Sequence, residues 1–414
     1  MATGSVPELD QLQGYKHAVA GHAGTLCDGD GKLFIKPCMQ KEIDFYQHVQ
    51  REASDPDESK EKYRDLSDIL PVFMGTLMLT DPTDQRISDA VTGVVSNSGT
   101  VMTDKEQIST ALSEQVAKVA EAAAAAAQQQ NKKGSGQGGG EKTELAGAGA
   151  AEQEWIPTNG GPIKTDRAIV LGNASYGFKK PNVLDVKLGV RLYADDAPVK
   201  KKVKMEKLSS ETTHRSHGFR VSGMKVFRGS ADPAQLDDEG FQVYDKDFGR
   251  LTVTEDNVAA EISKFVFNRE AGIDRHLGRA VCRALATEVA RVENVIRQHE
   301  FTMYSASLLI MFEGDGKALE KAIQYNNETV DAIEDAVAAA KRVDSGIVLD
   351  DEGDFVTAAD SDDDDEAKPP RVYTVKLIDF AHVDWTPGKG PDQNLLKGVS
   401  SIRKVFEELA SRGN

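Results

Sequence analysis

An aspartate and a lysine stand two residues apart inside the apolar run Pro181-Asn182-Val183-Leu184-Asp185-Val186-Lys187-Leu188-Gly189. Read as a strand over Val183–Leu188, the run places Asp185 and Lys187 on one face. An acid and a base in such surroundings cost desolvation unless they have partners or a task. Two readings compete. One is a structural ion pair. The other is a pair for phosphoryl transfer, with the carboxylate orienting a hydroxyl and the ammonium neutralising charge that develops on phosphate.

Other residues could serve the same chemistry. Lys200, Lys201, Lys202, Lys204 and Lys207 follow Arg191 closely, and on a helix Lys201 and Lys204 share a face. They form either a solvated surface or a grip for a ligand carrying several phosphates, each of about −1.5 to −2 charge. Asp379, at the end of an apolar run in Ile378-Asp379-Phe380-Ala381-His382, is placed to hold a metal against phosphates, as the Asp-Phe-Gly aspartate of protein kinases does. Lys36 stands in a hairpin, where a lysine is ordinarily a surface residue. Asp28-Gly29-Asp30-Gly31 has the look of a calcium loop but lacks the later ligands and the closing glutamate, and reads as a turn. His214 and His217 have no Cys or His pair near them and read as a polar loop. Cys27, Cys38 and Cys282 are isolated, with neither disulfide nor zinc spacing.

The elements that must position these residues follow from periodicity and breakers. Leu33–Lys36 is the second strand of the hairpin, Gln40–Arg51 a helix and Val72–Leu79 a strand. Arg167–Leu171, Val183–Leu188 and Phe219–Phe227 are strands, and Pro198–Leu208 is a basic helix. Asp274 caps a helix reaching Gln298, with Leu277, Val281, Leu285, Val289, Val292 and Ile296 on one face. Thr302–Phe312 is a strand and the stretch near 318–341 a helix. Val372–Ile378 is the last strand, and Pro391–Leu409 is the last helix, with Pro391 in its first turn. The pattern is two-lobed α+β with a cleft between lobes.

Taken together these blocks resemble the inositol polyphosphate kinase family. PxxxDxKxG is complete at Pro181, Asp185, Lys187 and Gly189. AGHAGTLCDGDGKLFIKPC, KEIDFYQ, HGFRVSGMKVF, YDKDFGR, SASLLIMFEG and KLIDFAHVDW follow in the family's order, over roughly 18–79, 165–315 and 371–410. The first-lobe blocks resemble the fungal multikinases most. The resemblance implies a protein-kinase-like fold with the ATP cleft between lobes. Residues 15–80 and 155–180 would form the N-terminal lobe, and 181–342 with 371–414 the C-terminal lobe. It implies Asp185 and Lys187 as catalytic residues. Lys36, Asn173, Ala174, Asp185 and Asp379 would bind ATP, and Asp379 and Ser307 would hold Mg2+. Lys187, Lys201, Lys204, Lys246 and His382 would bind the inositol phosphate. The activity implied is successive phosphorylation of inositol 1,4,5-trisphosphate to tetrakis- and pentakisphosphate. The alternatives are an inositol hexakisphosphate kinase or a largely non-catalytic nuclear transcription cofactor with transcription-regulator partners. Two positions depart from the family: Ala306 stands where it usually has serine, and the adenine-reading hinge is Gly172-Asn173-Ala174.

The chain of 414 residues carries a formal charge of −17. Asp344–Glu366 contains eleven acidic residues and no Lys or Arg, which leaves −6 for the rest. An acidic substrate is therefore compatible with locally gathered cations, whereas nothing resembles a nucleic-acid-binding balance. Residues 1–14 read as a flexible tail, 81–154 as a low-complexity insertion and 343–370 as an acidic insertion. With no apolar run of spanning length and no secretory pattern at the start, the expectation is a soluble intracellular protein; the location expected for it is nucleus and cytoplasm.

Overall fold

The computed structural model describes residues 12–20, 24–78, 165–328 and 370–412. Most of the tail of 1–14, the insertion of 81–154 and nearly all of the acidic segment of 343–370 lie outside the described residues.

The first sheet begins with β1 (Gln13–Gly14), β2 (Leu26–Cys27) and β3 (Leu33–Pro37). Asp28-Gly29-Asp30-Gly31 is the expected turn between β2 and β3, closed by Asp28 Oδ1 accepting the Leu33 N–H at 2.8 Å. Helices α1 (Gln40–Ala53) and α2 (Glu61–Asp68) follow, then β4 (Phe73–Met78) and β5 (Arg167–Gly172). The sheet order is β1-β2-β3-β5-β4. Although 88 residues separate their facing ends, β4 and β5 pair directly, Met78 opposite Arg167.

The second sheet is built around β6 (Pro181–Leu188), whose residues are buried except Lys187. The basic helix α3 (Val199–Ser210) and one turn, α4 (His214–His217), lead to β7 (Phe219–Phe227), buried throughout. After β8 (Phe241–Tyr244) come α5 (Val258–Val266) and α6 (Arg275–Arg297). Asp274 caps α6 as its spacing predicts, accepting the Leu277 N–H. Of the face expected on α6, Val281, Leu285, Val289, Val292 and Ile296 are fully in the core and Leu277 packs at its edge.

The run Thr302–Phe312 is not one strand. It divides into β9 (Phe301–Met303) and β10 (Ser307–Glu313), which belong to different sheets. The break falls at Ser305, whose φ of 60° no continuous strand accommodates. Residues 316–328 are helical, and the rest of the helix expected near 318–341 lies outside the described residues. β11 (Tyr373–Ile378) completes the second sheet in the order β11-β10-β6-β7-β8, and β12 (Val383–Trp385) pairs with β9. The last helix, α7 (Gln393–Ser411), starts later than expected. Its cap is Asp392, whose side chain accepts the Leu395 N–H, so Pro391 precedes the helix instead of occupying its first turn. The α6–α7 pair lies behind the second sheet and joins its core.

Candidate active site

Between the two sheets lies a cleft with an apolar wall of Phe34, Leu171, Val183, Leu309 and Met311 and a charged end at Lys36, Glu42, Asp185 and Asp379. β11 delivers Asp379. Leaving the strand, the chain takes φ 69° at this aspartate, a left-handed conformation that costs a non-glycine residue about 1 kcal/mol or more. The turn sends Phe380 into the core and leaves the carboxylate between two lysines. Lys36 Nζ donates to Asp379 Oδ1 at 2.8 Å and Lys187 Nζ donates to Oδ2 at 2.7 Å. Burial alone would raise the Asp379 pKa, but the Lys187 and Lys36 charges hold it well below the carboxylate range.

The ion pair read between Asp185 and Lys187 is therefore absent. Lys187 pairs with Asp379 and donates a second bond, 3.0 Å, to the Ser305 carbonyl, which the left-handed break between β9 and β10 aims at it. Asp185 lines the cleft, buried, and its Oδ1 makes no hydrogen bond. Burial pushes its pKa up, against the opposing Lys187 charge. The buried Ser307 hydroxyl lies close enough to act on Asp185, yet short of hydrogen-bond geometry, and is likewise unpaired.

Lys36, read from sequence as either a nucleotide ligand or a surface lysine, is inside the cleft. Its second partner is Glu42, at 2.9 Å from α1, which the sequence reading missed. The signal was available: a glutamate in the first turn of a helix, six residues after Lys36, in the lysine–glutamate arrangement that protein kinases use. Burial alone would lower the Lys36 pKa, but the two carboxylates keep it raised, Asp379 contributing more than Glu42. Glu42 is held by an aromatic block. Phe45, on the next turn of α1, packs 4.5 Å from Phe380 and stacks 5.6 Å from Trp385, and Trp385 meets Phe301 edge-on.

Beyond Asp379, His382 Nε2 lies 3.2 Å from Lys201 Nζ, so α3 and the segment after β11 converge as the resemblance implied. Burial, reinforced by Lys201 and Lys41, lowers the His382 pKa to about 4. Lys204 is exposed one turn further along α3, and Lys246 is exposed just after β8, its carbonyl accepting from Arg220 at 3.4 Å. Arg220, opposite Lys187 on β7, is a buried cation that the sequence reading assigned no role. His214 is no polar loop: it is buried, with Nδ1 2.7 Å from the carbonyl of Gly189. Among the described residues no group of three His, Cys, Asp or Glu could hold a metal unaided.

At the hinge, Ala174 and Asn173 line the cleft. Asn173 is engaged within the protein: its N–H donates to the Lys32 carbonyl at 2.8 Å and its Oδ1 accepts from Ser175 at 2.9 Å. The Gly172 N–H likewise donates to Val72, at 2.7 Å.

A cleft between two lobes, ending in a lysine–aspartate–lysine chain with a glutamate behind it, defines a kinase of the two-lobed class. The model of the inositol polyphosphate kinase family matches residues 168–407, more than half of the chain, and the chain belongs to that family. It is 29% identical to the inositol polyphosphate multikinase of Saccharomyces cerevisiae over 96% of this chain and 99% of the relative. Human inositol hexakisphosphate kinase 1 is 26% identical, over 59% of this chain and 53% of the relative. A crystal structure of the S. cerevisiae inositol phosphate multikinase in complex with ADP and Mn2+ aligns over 91% of this chain and 99% of that one, with 20% identity and a TM-score of 0.48.

Proposed function

We propose that this inositol phosphate kinase uses ATP and Mg2+ to phosphorylate inositol 1,4,5-trisphosphate to the tetrakis- and then the pentakisphosphate. The observation that carries the reading is the junction at Asp379. One lysine from each sheet meets one carboxylate at the end of an apolar cleft, and the Lys201–His382 pair lies three residues beyond. The near end-to-end match to a multikinase supports this choice over a hexakisphosphate kinase, matched over about half its length.

The residues fit a divalent ion. Mg2+ is usually held by one or two carboxylates with phosphates and water completing the shell, so the lack of an all-protein cluster among the described residues is no obstacle. Asp379 and the unpaired Ser307 hydroxyl would hold it, and bound there it would neutralise phosphate charge. Ala306 removes one hydroxyl beside this position but leaves Ser307. Lys36 would bind the α- and β-phosphates, kept extended by Glu42. Lys187, fixed by Asp379 and Ser305, would act on the transferring group. Asp185, with a buried unpaired oxygen, would accept the hydrogen bond of the attacking inositol hydroxyl and orient it. Lys201, Lys204, Lys246 and His382 would grip the other phosphates.

The test is to incubate the protein with ATP, Mg2+ and separate inositol phosphates and resolve the products by anion-exchange chromatography. Tetrakis- and pentakisphosphate from the trisphosphate are expected. Product from the hexakisphosphate alone would assign it to the other branch, and no product from any would refute the reading.

A further inference from the structure

One wall of the cleft comes from a segment outside both sheets. His17, Ala18, Val19 and Ala20 line the cleft, and Val19 lies against β7 at Gly223. The contact is close. A Cβ built on Gly223 would meet the Val19 carbonyl oxygen at 2.0 Å and its carbon at 2.7 Å, so only glycine lets the segment lie there. Gly223 stands directly opposite Asp185 on β6, which ties the position of this wall to the catalytic strand.

Two residues further along β7, on the same face, a lysine fastens the segment. Lys225 is 4% exposed and donates to the Lys16 carbonyl at 3.2 Å. Its charge is balanced by Asp237 at 3.1 Å and Glu239 at 3.8 Å, and Glu239 also pairs with Lys16 at 3.3 Å. The His17 ring packs edge-on against Phe241, 6.1 Å between centroids. His17 lines the cleft, and its Nδ1 is buried and makes no hydrogen bond. Burial and the neighbouring Lys225 charge lower the pKa of the ring. Across the cleft, the N–H groups of Gly172 and Asn173 are engaged within the protein.

We propose that residues 15–20 are a fixed strap that grips the nucleotide, that Gly223 is its seat and Lys225 its fastening, and that His17 Nδ1 hydrogen-bonds the nucleoside part of ATP. The proposal rests on the reading of this cleft as the nucleotide site. It assigns Gly223 and Lys225 as positioning residues and His17 as a ligand-contacting one.

Calorimetry with ADP and steady-state kinetics test it. Wild-type protein that binds no ADP would refute the nucleotide reading itself. Given wild-type binding, Gly223→Ala is expected to raise the KM for ATP about tenfold or more, with the inositol phosphate KM unchanged and kcat at saturating ATP within about twofold. His17→Phe is expected to raise it about three- to tenfold, the worth of one neutral hydrogen bond. Should Gly223→Ala fail to fold, Lys225→Met is expected to show the same selective rise in the ATP KM. Unchanged ATP KM in the folded seat or fastening variant, or equal rises in both substrates' KM, would overturn the strap. An unchanged ATP KM in His17→Phe would overturn the histidine contact.

Discussion

Replacing Asp379 with asparagine removes one charge and leaves two lysines facing each other. In the wild type each carboxylate oxygen takes one ammonium, at 2.8 and 2.7 Å, and the side chains are only 16%, 23% and 26% exposed for Lys36, Lys187 and Asp379. Solvent therefore screens these contacts weakly. Asparagine offers one oxygen, so one bond weakens from charged to neutral acceptor and the other is lost. Lys36 retains Glu42, while Lys187 retains only the Ser305 carbonyl. Breaking a buried pair from one side costs about 3–5 kcal/mol. At a urea slope of about 2–3 kcal/mol per molar, the midpoint at pH 7 should fall by about 1–2.5 M. The pH dependence follows from the depressed Asp379 pKa. Its stabilisation is complete above the unfolded carboxylate value of about 3.9 and is lost as pH falls below that toward the folded value. The gap between wild type and Asp379→Asn should therefore be full at pH 7 and narrow below about pH 4. Turnover should drop about a thousandfold or more, since about 4 kcal/mol of charge placement is missing from the transition state. Equal urea midpoints at pH 7, or a gap that persists undiminished at pH 3, would refute the reasoning.

Changing Lys201 and Lys204 together to alanine should raise the KM for inositol trisphosphate about tenfold or more and leave the ATP KM within about twofold, by initial-rate kinetics. Lys187→Ala should instead lower kcat, and the same kinetic effect from both variants would contradict their separate roles. Because burial raises the Asp185 pKa, the acid limb of kcat against pH should lie above the ordinary aspartate value of about 3.9, and Asp185→Asn should abolish both the limb and most of the rate. Replacing residues 81–163 with a short hairpin turn should leave melting temperature and kcat near wild type, because Met78 and Arg167 are already paired neighbours.

Much of this site was legible because its residues obey local rules. Asp185 and Lys187 declared themselves by strand periodicity, and Asp274 by its capping position. Lys201 and His382 met as the family resemblance implied, across 181 residues. What the sequence withheld depends on contacts between segments. The pairing of Lys187 with Asp379 instead of its neighbour Asp185 requires the second sheet to be folded. The break at Ser305 sits in a β-compatible run, and the bond its carbonyl accepts from Lys187 is a tertiary contact that no local pattern announces. Glu42 carried a signal, a first-turn glutamate six residues after Lys36, but its pairing shows only once Lys36 is seen to point inward. Nothing in the sequence singles out Gly223, and its need for glycine appears only when Val19 lies against it.

The aromatic block around Phe45 decides what kind of control this kinase can accept. Regulated protein kinases switch by letting the helix that carries their glutamate move away from the lysine. Here that helix is keyed to Phe380, Trp385 and Phe301 at once, rings drawn from the segment after Asp379 and from the β9–β12 pair. Swinging Glu42 outward would pull four rings out of register and open cavities costing about 3–5 kcal/mol apiece. Among the described residues the Lys36–Glu42 pair is thus locked by core packing, and control by release of this helix would be a costly route.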